Sequence, residues 1–218
     1  ALPRSRSALP VEPPLRVLAL LSSPDGLPPL DVEREWQAIQ EALAGLTADG
    51  KFVLERLPSP TLDALQGRLL GEPVHILHFI GHGVFDEAAQ AGCLALADAR
   101  RRPHLVQGGD LAKLLRNHPA VRLAYLNACE GALASGGSVF TGRAQTLVRE
   151  GLPAAVAMQA EISDAGAVEL ARTFYTALAA GRPVDAALTQ ARVALSVAGS
   201  PEWAIPVLFS RSPDNRLF

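Results

Sequence analysis

Two apolar runs constrain this chain more than anything else in it. Residues 74–80 (Val-His-Ile-Leu-His-Phe-Ile) and 121–126 (Val-Arg-Leu-Ala-Tyr-Leu) show little polar alternation, which marks strands buried on both faces. The first stops at Gly81-His82-Gly83 and the second at Asn127-Ala128-Cys129-Glu130-Gly131. Such strands need helices above and below them, and the stretch between the two runs has room for a hairpin and a crossover helix.

The rest of the chain alternates in the same way. Residues 15–21 read as a first strand ended by Ser22-Ser23-Pro24-Asp25-Gly26, with Pro28 and Pro29 prolonging the turn. Asp31 caps a helix whose apolar stripe is Val32, Trp36, Ile39, Leu43 and Leu46. Residues 52–57 form a second strand, and Thr61 caps a short helix with Leu62, Leu65 and Leu69 inward. Residues 92–98 read as a hairpin arm beside the sheet, 100–103 as an exposed basic turn, and 107–110 as the lead into a helix burying Leu111, Leu114 and Leu115. Beyond Gly131 come a small-residue loop, a helix over 140–150, a strand over 154–158, and a loop over 159–163. Ser163 or Asp164 then opens a long helix to Ala180, followed by a helix over 184–197. A last strand over 203–209 carries Pro206 and so belongs at an edge. The prediction is an α/β domain: a mostly parallel sheet of about six strands, helices on both faces, and a small hairpin arm.

Composition closes off several classes of function. Net charge is −2 and the basic residues are scattered, so no nucleic-acid footprint is present. No apolar run approaches the ~18 residues of a membrane span. The two cysteines, Cys93 and Cys129, make neither a disulfide framework nor a metal motif, and a reduced cytoplasmic thiol is the expectation. Residues 1–14 hold four prolines, two arginines and two serines without periodicity. They read as a linker to a neighbouring domain, with residues 15–218 as the folded unit. Nothing in the sequence asks for a metal or a cofactor.

Chemistry gathers at the ends of the two buried strands. Parallel α/β sheets bind ligands at the carboxyl ends of their strands, where Cys129 falls, and His82 ends the neighbouring run. A thiol and an imidazole so placed can act as nucleophile and proton carrier in acyl transfer. Backbone N–H groups of Gly83 and Cys129 are then the candidate oxyanion donors. A histidine between glycines is expected in a loop, free to act on substrate. The duller reading of Cys129 is a packed core thiol, and Cys93 is expected to pack within the arm.

Four segments in order, Leu77-His78-Phe79-Ile80-Gly81-His82-Gly83, Leu126-Asn127-Ala128-Cys129-Glu130, Met158-Gln159 through Ile162-Ser163-Asp164, and Phe174-Tyr175-x-x-Leu178-x-x-Gly181-Arg182-Pro183, resemble the CHAT domain. This is a caspase-like (clan CD) cysteine peptidase family related to separase and gingipain. The resemblance implies a caspase–haemoglobinase sheet, His82 and Cys129 as catalytic dyad, Gly83 in the oxyanion hole, and a structural role for His78. It also implies a protein substrate, and control by a sensor or repeat domain of the same chain or by a partner, often in bacterial defence. Ala160 and Glu161 stand where the family pattern has an aromatic residue and a proline. Glu161 or Asp164 would supply a negative charge for a basic P1 residue, and Glu130 reads either as a surface residue or as a contact to substrate. Asp164 reads equally well as a helix N-cap.

Two other functions compete. A catalytically silent interaction domain would keep the fold without the reaction. Phosphate binding at residues 131–137 fits a loop between strand and helix but lacks the Gly-x-x-x-x-Gly-Lys pattern. Zinc binding by His78 and His82 is disfavoured because they are expected on a strand and its following loop, not on one helical face.

Overall fold

The computed structural model describes residues 8–89, 91–130 and 139–218, apart from the side chains of 129, 130 and 139–141. Its strands are β1 (Leu15–Ser22), β2 (Phe52–Arg56), β3 (Ile76–Asp86), β4 (Ala91–Ala97), β5 (Pro103–Gln107), β6 (Leu123–Glu130), β7 (Ala154–Met158) and β8 (Pro206–Ser210). Its helices are α1 (Val32–Ala42), α2 (Ala44–Ala48), α3 (Leu62–Leu69), α4 (Gly108–Arg116), α5 (Val139–Arg149), α6 (Asp164–Ala179) and α7 (Val184–Val197).

The main sheet runs β2-β1-β3-β6-β7-β8. All its pairings are parallel except β7–β8, which places β8 antiparallel at the edge. The hairpin arm is β4 and β5, with β4 antiparallel to the far end of β3. This is the expected α/β architecture of six strands and an arm.

Side chains alternate along each strand, so each buried strand feeds two cores. Val17, Ala19, Leu21, Ile76, Ile80, Leu123, Tyr125, Val156 and Met158 face α1, α6 and α7. Leu18, Leu20, Leu77, Phe79, Ala124, Leu126, Ala155 and Ala157 face α3, α4, α5 and the arm. Each fully buried Leu, Ile or Phe stabilises the fold by about 1.5–3 kcal/mol. On the first face, the ring centroids of Tyr125, Phe174 and Tyr175 lie within 6 Å of one another, and the imidazole of His78 lies within 6 Å of both tyrosines. Capping follows the sequence: Asp31 and Thr61 each accept a backbone N–H at 3.1 Å, from Arg34 and Ala64.

Several boundaries differ from the sequence reading. The first helix breaks at Leu43, leaving Leu46 on the separate turn α2. The turn expected over 100–103 and the helix lead expected at 107 close on an unexpected strand, β5, which pairs with β4 from Pro103 to Gln107. The last strand begins at Pro206, after a 3-10 turn over Pro201–Ala204. The difference that matters most is in β3, which runs through Gly81-His82-Gly83 to Asp86. Gly81 allows this: a Cβ there would lie 2.5 Å from the backbone oxygen of Ser22 on β1 and 2.8 Å from Cζ of Phe79. Glycine at this position permits a closer approach of β1 and β3 than any other residue would. Ahead of β1, Leu9 N–H donates to Leu217 O at 2.9 Å and Val11 packs on the first core.

Candidate active site

Strands β3 and β6 lie side by side in parallel, and their register pairs His82 with Cys129 and Gly83 with Glu130. Side-chain alternation carries Ile76, His78, Ile80 and His82 along one file of β3, the file facing α1 and α6. His82 is therefore a strand residue and not the loop histidine expected from its glycine neighbours, and it is only 3% exposed. Cys129 occupies the matching position of β6; its side chain and that of Glu130 lie outside the described residues, as do residues 131–137.

The imidazole has a fixed partner. His82 Nε2 is 2.7 Å from the carbonyl oxygen of Pro28. A carbonyl only accepts, so Nε2 carries a proton, and Nδ1 is the ring nitrogen that can take up or release one. Pro28 sits in the β1–α1 loop, which is pinned at several points. Leu30 N–H donates to Ser23 Oγ at 3.1 Å, and Asp25 N–H donates to the Arg101 carbonyl of the arm at 2.8 Å. Sequence reasoning missed Pro28 because its contribution is a main-chain oxygen, which no side chain announces.

Gly83 stands where β3 changes partners, in register with Glu130 of β6 on one side and Leu94 of β4 on the other. Cys93 is a buried residue of the arm, opposite Val84. Burial raises the pKa of its thiol, with the charge of Asp86 adding to the effect, so it is a poor nucleophile. His78 is fully buried, with Nδ1 2.8 Å from the Tyr175 hydroxyl. Burial lowers its pKa to about 3, which keeps it neutral and structural.

Beneath the His82–Cys129 pair lies a polar group that the sequence reading did not single out. Asn127, two positions before Cys129, donates from Nδ2 to Glu35 Oε1 on α1. Glu35 is 9% and Asn127 2% exposed. Burial raises the Glu35 pKa from its ordinary 4.5 to about 7; the Asn127 hydrogen bond opposes the rise and the charge of Asp164 adds to it. The missed signal was spacing: Glu35 falls between Val32 and Trp36 on the inward stripe of α1.

Asp164 is the first residue of α6 and exposed, and the N-cap is Ser163, whose Oγ accepts from Gly166 N–H at 3.1 Å. The capping alternative thus belongs to its neighbour. Glu202 holds this corner, accepting from Ser163 N–H at 2.7 Å and Ser163 Oγ at 3.0 Å. Glu161 is exposed in the loop between β7 and α6. Among the described residues no group of three or more His, Cys, Asp or Glu is arranged to hold a metal ion, and no helix is long and apolar enough to cross a membrane.

Glu35 makes stability depend on pH with a definite sign. Its folded pKa lies above its unfolded value, so the stability carried by the protonated form is lost as pH rises through about 7. Glu35→Gln should therefore stabilise the fold more at pH 8 than at pH 5, by up to about 3 kcal/mol. Urea unfolding at the two pH values measures the difference, and an equal effect at both would refute the buried-acid assignment.

The family model for the CHAT domain matches residues 3–209. This chain belongs to the CHAT domain family. The fold of this CHAT domain is similar to that of the Arg-specific cysteine proteinase gingipain R, with a TM-score of 0.56 at 14% identity. It is also similar to the Drosophila initiator caspase Dronc, with a TM-score of 0.53 at 8% identity. The matches cover 94% of the CHAT domain and 48% of the gingipain chain, and 95% of the CHAT domain and 90% of the Dronc chain. The domain thus spans about half of gingipain R. At these identities the likeness is one of fold, the caspase-like sheet that the sequence resemblance implied. Comparison of the sequence with curated proteins finds no match.

Proposed function

We propose that this CHAT domain is a cysteine endopeptidase in which Cys129 is the nucleophile and His82 the proton carrier. The observation that carries the reading is the register of His82 with Cys129 on adjacent parallel strands, toward the carboxyl ends of the sheet's central strands, where such folds bind ligands. The Pro28 contact supports it by leaving Nδ1 of His82 available as base. The thiol of Cys129 gives its proton to Nδ1 and its sulfur attacks the peptide carbonyl carbon. The resulting oxyanion is met by backbone N–H groups of Gly83 and Cys129. As the C–N bond breaks, His82 returns the proton to the leaving amine, and a thioester remains. Water, deprotonated by His82, hydrolyses the thioester and restores the thiol. The Pro28 carbonyl stabilises the imidazolium formed in each half-reaction.

Glu130, Glu161 and Asp164 are proposed to contact substrate. The two acids at the β7–α6 corner would favour a basic P1 residue, as in the Arg-specific neighbour. A sensor or repeat domain in the same chain or on a partner is proposed to regulate the site, in a cytoplasmic bacterial defence or signalling protein.

The test is to incubate the domain with a denatured proteome and map new protein termini, with Cys129→Ala as control. Termini that vanish in the variant support the reading, and termini that persist refute it. The deep burial of His82 favours a second reading, a catalytically silent caspase-fold interaction domain. That reading requires that no new termini arise even with the neighbouring domain present.

A further inference from the structure

We propose that the tip of the hairpin arm positions His82 from a distance, through a main-chain clasp between Arg101 on the arm and Asp25 on the β1–α1 loop that holds the Pro28 carbonyl against the ring. Asp25 and Arg101 act through Pro28 and are positioning residues. The inference rests on His82 being the proton carrier.

The ring has little else to fix it. Its 2.7 Å contact with Pro28 O is the one hydrogen bond its side chain makes among the described residues, and losing that bond would free the imidazole to rotate. The hold on His82 is therefore only as firm as the loop over 23–30. The neck of the loop is closed by Leu30 N–H donating to Ser23 Oγ at 3.1 Å, and its tip reaches the arm, where Asp25 N–H donates to Arg101 O at 2.8 Å. Between Asp25 and Pro28 stand only Gly26 and Leu27. Pro28 has a locked φ, and Pro29 after it restricts its ψ. A hold on Asp25 thus passes to the Pro28 carbonyl with little slack.

Packing does not replace that hold. A cavity of about 370 Å³ lies between the two ends of the loop, the arm tip and the β2–α3 turn, lined in part by Ser23, Leu30, Ala97, Asp98 and Arg101. Side chains do not fill the space behind the ends of the loop, so hydrogen bonds at its neck and tip are left to fix it.

The arm supplies the rigid half of the clasp. Ser22 Oγ donates to Ala95 O at 2.8 Å, which ties the end of β1 to β4. Within the turn, Arg101 N–H donates to Asp98 O and Asp98 N–H to Arg102 O, both at 2.9 Å. Asp98 Oδ1 accepts from Arg100 N–H at 2.8 Å and from Arg102 N–H at 2.9 Å. These bonds hold Arg101 at φ +63°, a left-handed conformation disfavoured for any residue with a side chain. Such a conformation persists where its surroundings over-determine it. Arg101 Nε also lies 3.4 Å from Asp25 Oδ1, but both side chains are well exposed. An exposed pair adds little, which leaves the main-chain bond as the principal tie.

The turn at Asp25 allows that bond to be removed alone. Pro24–Leu27 is a type II turn, with Leu27 N–H reaching Pro24 O at 3.5 Å and Gly26 at φ +90°. Its second position, Asp25, takes a φ of about −60°, which proline shares. Asp25→Pro therefore keeps the turn and loses the N–H, whereas Asp25→Ala loses only the carboxylate. A second variant breaks the clasp from the arm side. Deleting residues 99–101 together with Arg102→Gly leaves Asp-Gly as a two-residue hairpin turn between the paired Ala97 and Pro103.

Solvent exchange of the His82 Nε2 proton, followed by NMR on the histidine-labelled chain, reads the ring directly and needs no turnover. Asp25→Pro and the shortened arm should each speed that exchange by at least about tenfold, and Asp25→Ala should stay within about threefold of the native chain. On a peptide substrate the first two should lower kcat by at least about tenfold with KM within about twofold. Native-like exchange in the shortened arm, or equal effects of Asp25→Ala and Asp25→Pro, would overturn the proposal. Cleavage whose kcat is unmoved when the clasp is broken sinks the clasp and leaves the peptidase. Clasp-dependent exchange in a chain that cuts nothing keeps the hold on the ring and sinks the peptidase.

Discussion

Replacing Cys129 or His82 by alanine is expected to lower peptide cleavage by at least about three orders of magnitude, and replacing both should do little more. The reason is that neither residue acts alone. Without the imidazole the thiol remains largely protonated at neutral pH, and the leaving amine has no acid to take its proton from. Without the thiol the imidazole has nothing to activate. The comparison that gives this meaning is Cys93→Ser. Cys93 is buried in the arm, burial raises its pKa, and its replacement should leave the cleavage rate within about twofold while lowering stability by about 1 kcal/mol. Initial rates on a peptide spanning one mapped cut site measure all four variants. Additive losses in the double variant, or a loss in Cys93→Ser matching that in Cys129→Ala, would break the dyad assignment.

The second large effect falls on the frame. Gly81→Ala should cost about 3 kcal/mol, because the added methyl meets the Ser22 carbonyl oxygen at 2.5 Å and the ring of Phe79 at 2.8 Å. Phe79 is fully buried, so its ring can yield only by displacing other core side chains. The Ser22 oxygen belongs to the β1–β3 register, where Ser22 pairs with Gly81 itself, so it retreats only if the two strands part. For a domain of this size that cost corresponds to a fall in Tm of roughly 10 °C. Thermal melting followed by circular dichroism would show it, and a fall of less than about 2 °C would mean that the strands absorb the methyl. Activity should drop along with stability, since His82 follows Gly81 directly.

Much of this structure was legible from residue types. The buried runs around Phe79 and Leu126 announced strands needing cover on both faces, and Asp31 and Thr61 announced helix starts. What escaped the sequence has physical reasons. Gly81-His82-Gly83 carries the residues of a turn, yet the absence of side chains at 81 serves the tight passage of β3 past β1. Strand β5 is short, mostly exposed and begins at Pro103, so it has no apolar signature beyond Leu105 and Val106. Cys129 and His82 drew attention because chemistry at strand ends shows in side-chain identity, and the β3–β6 register sets the two positions side by side. Pro28 was not found, because a main-chain oxygen is common to every residue. Glu35 has the composition of a surface charge, and only its position on the inward stripe of α1 marks it as buried.

The pairing of β3 with β6 also has a consequence for how such a domain is made. Its strands are neighbours in space but far apart in the chain, with the arm and α4 between them. Pairings of this kind form late, after the intervening segment has folded back. On a ribosome that delivers the amino-terminal part first, His82 emerges well before its counterpart on β6. A reaction needing both residues would be impossible for a nascent chain until β6 had been synthesised, so the order of synthesis would itself hold back the proposed activity.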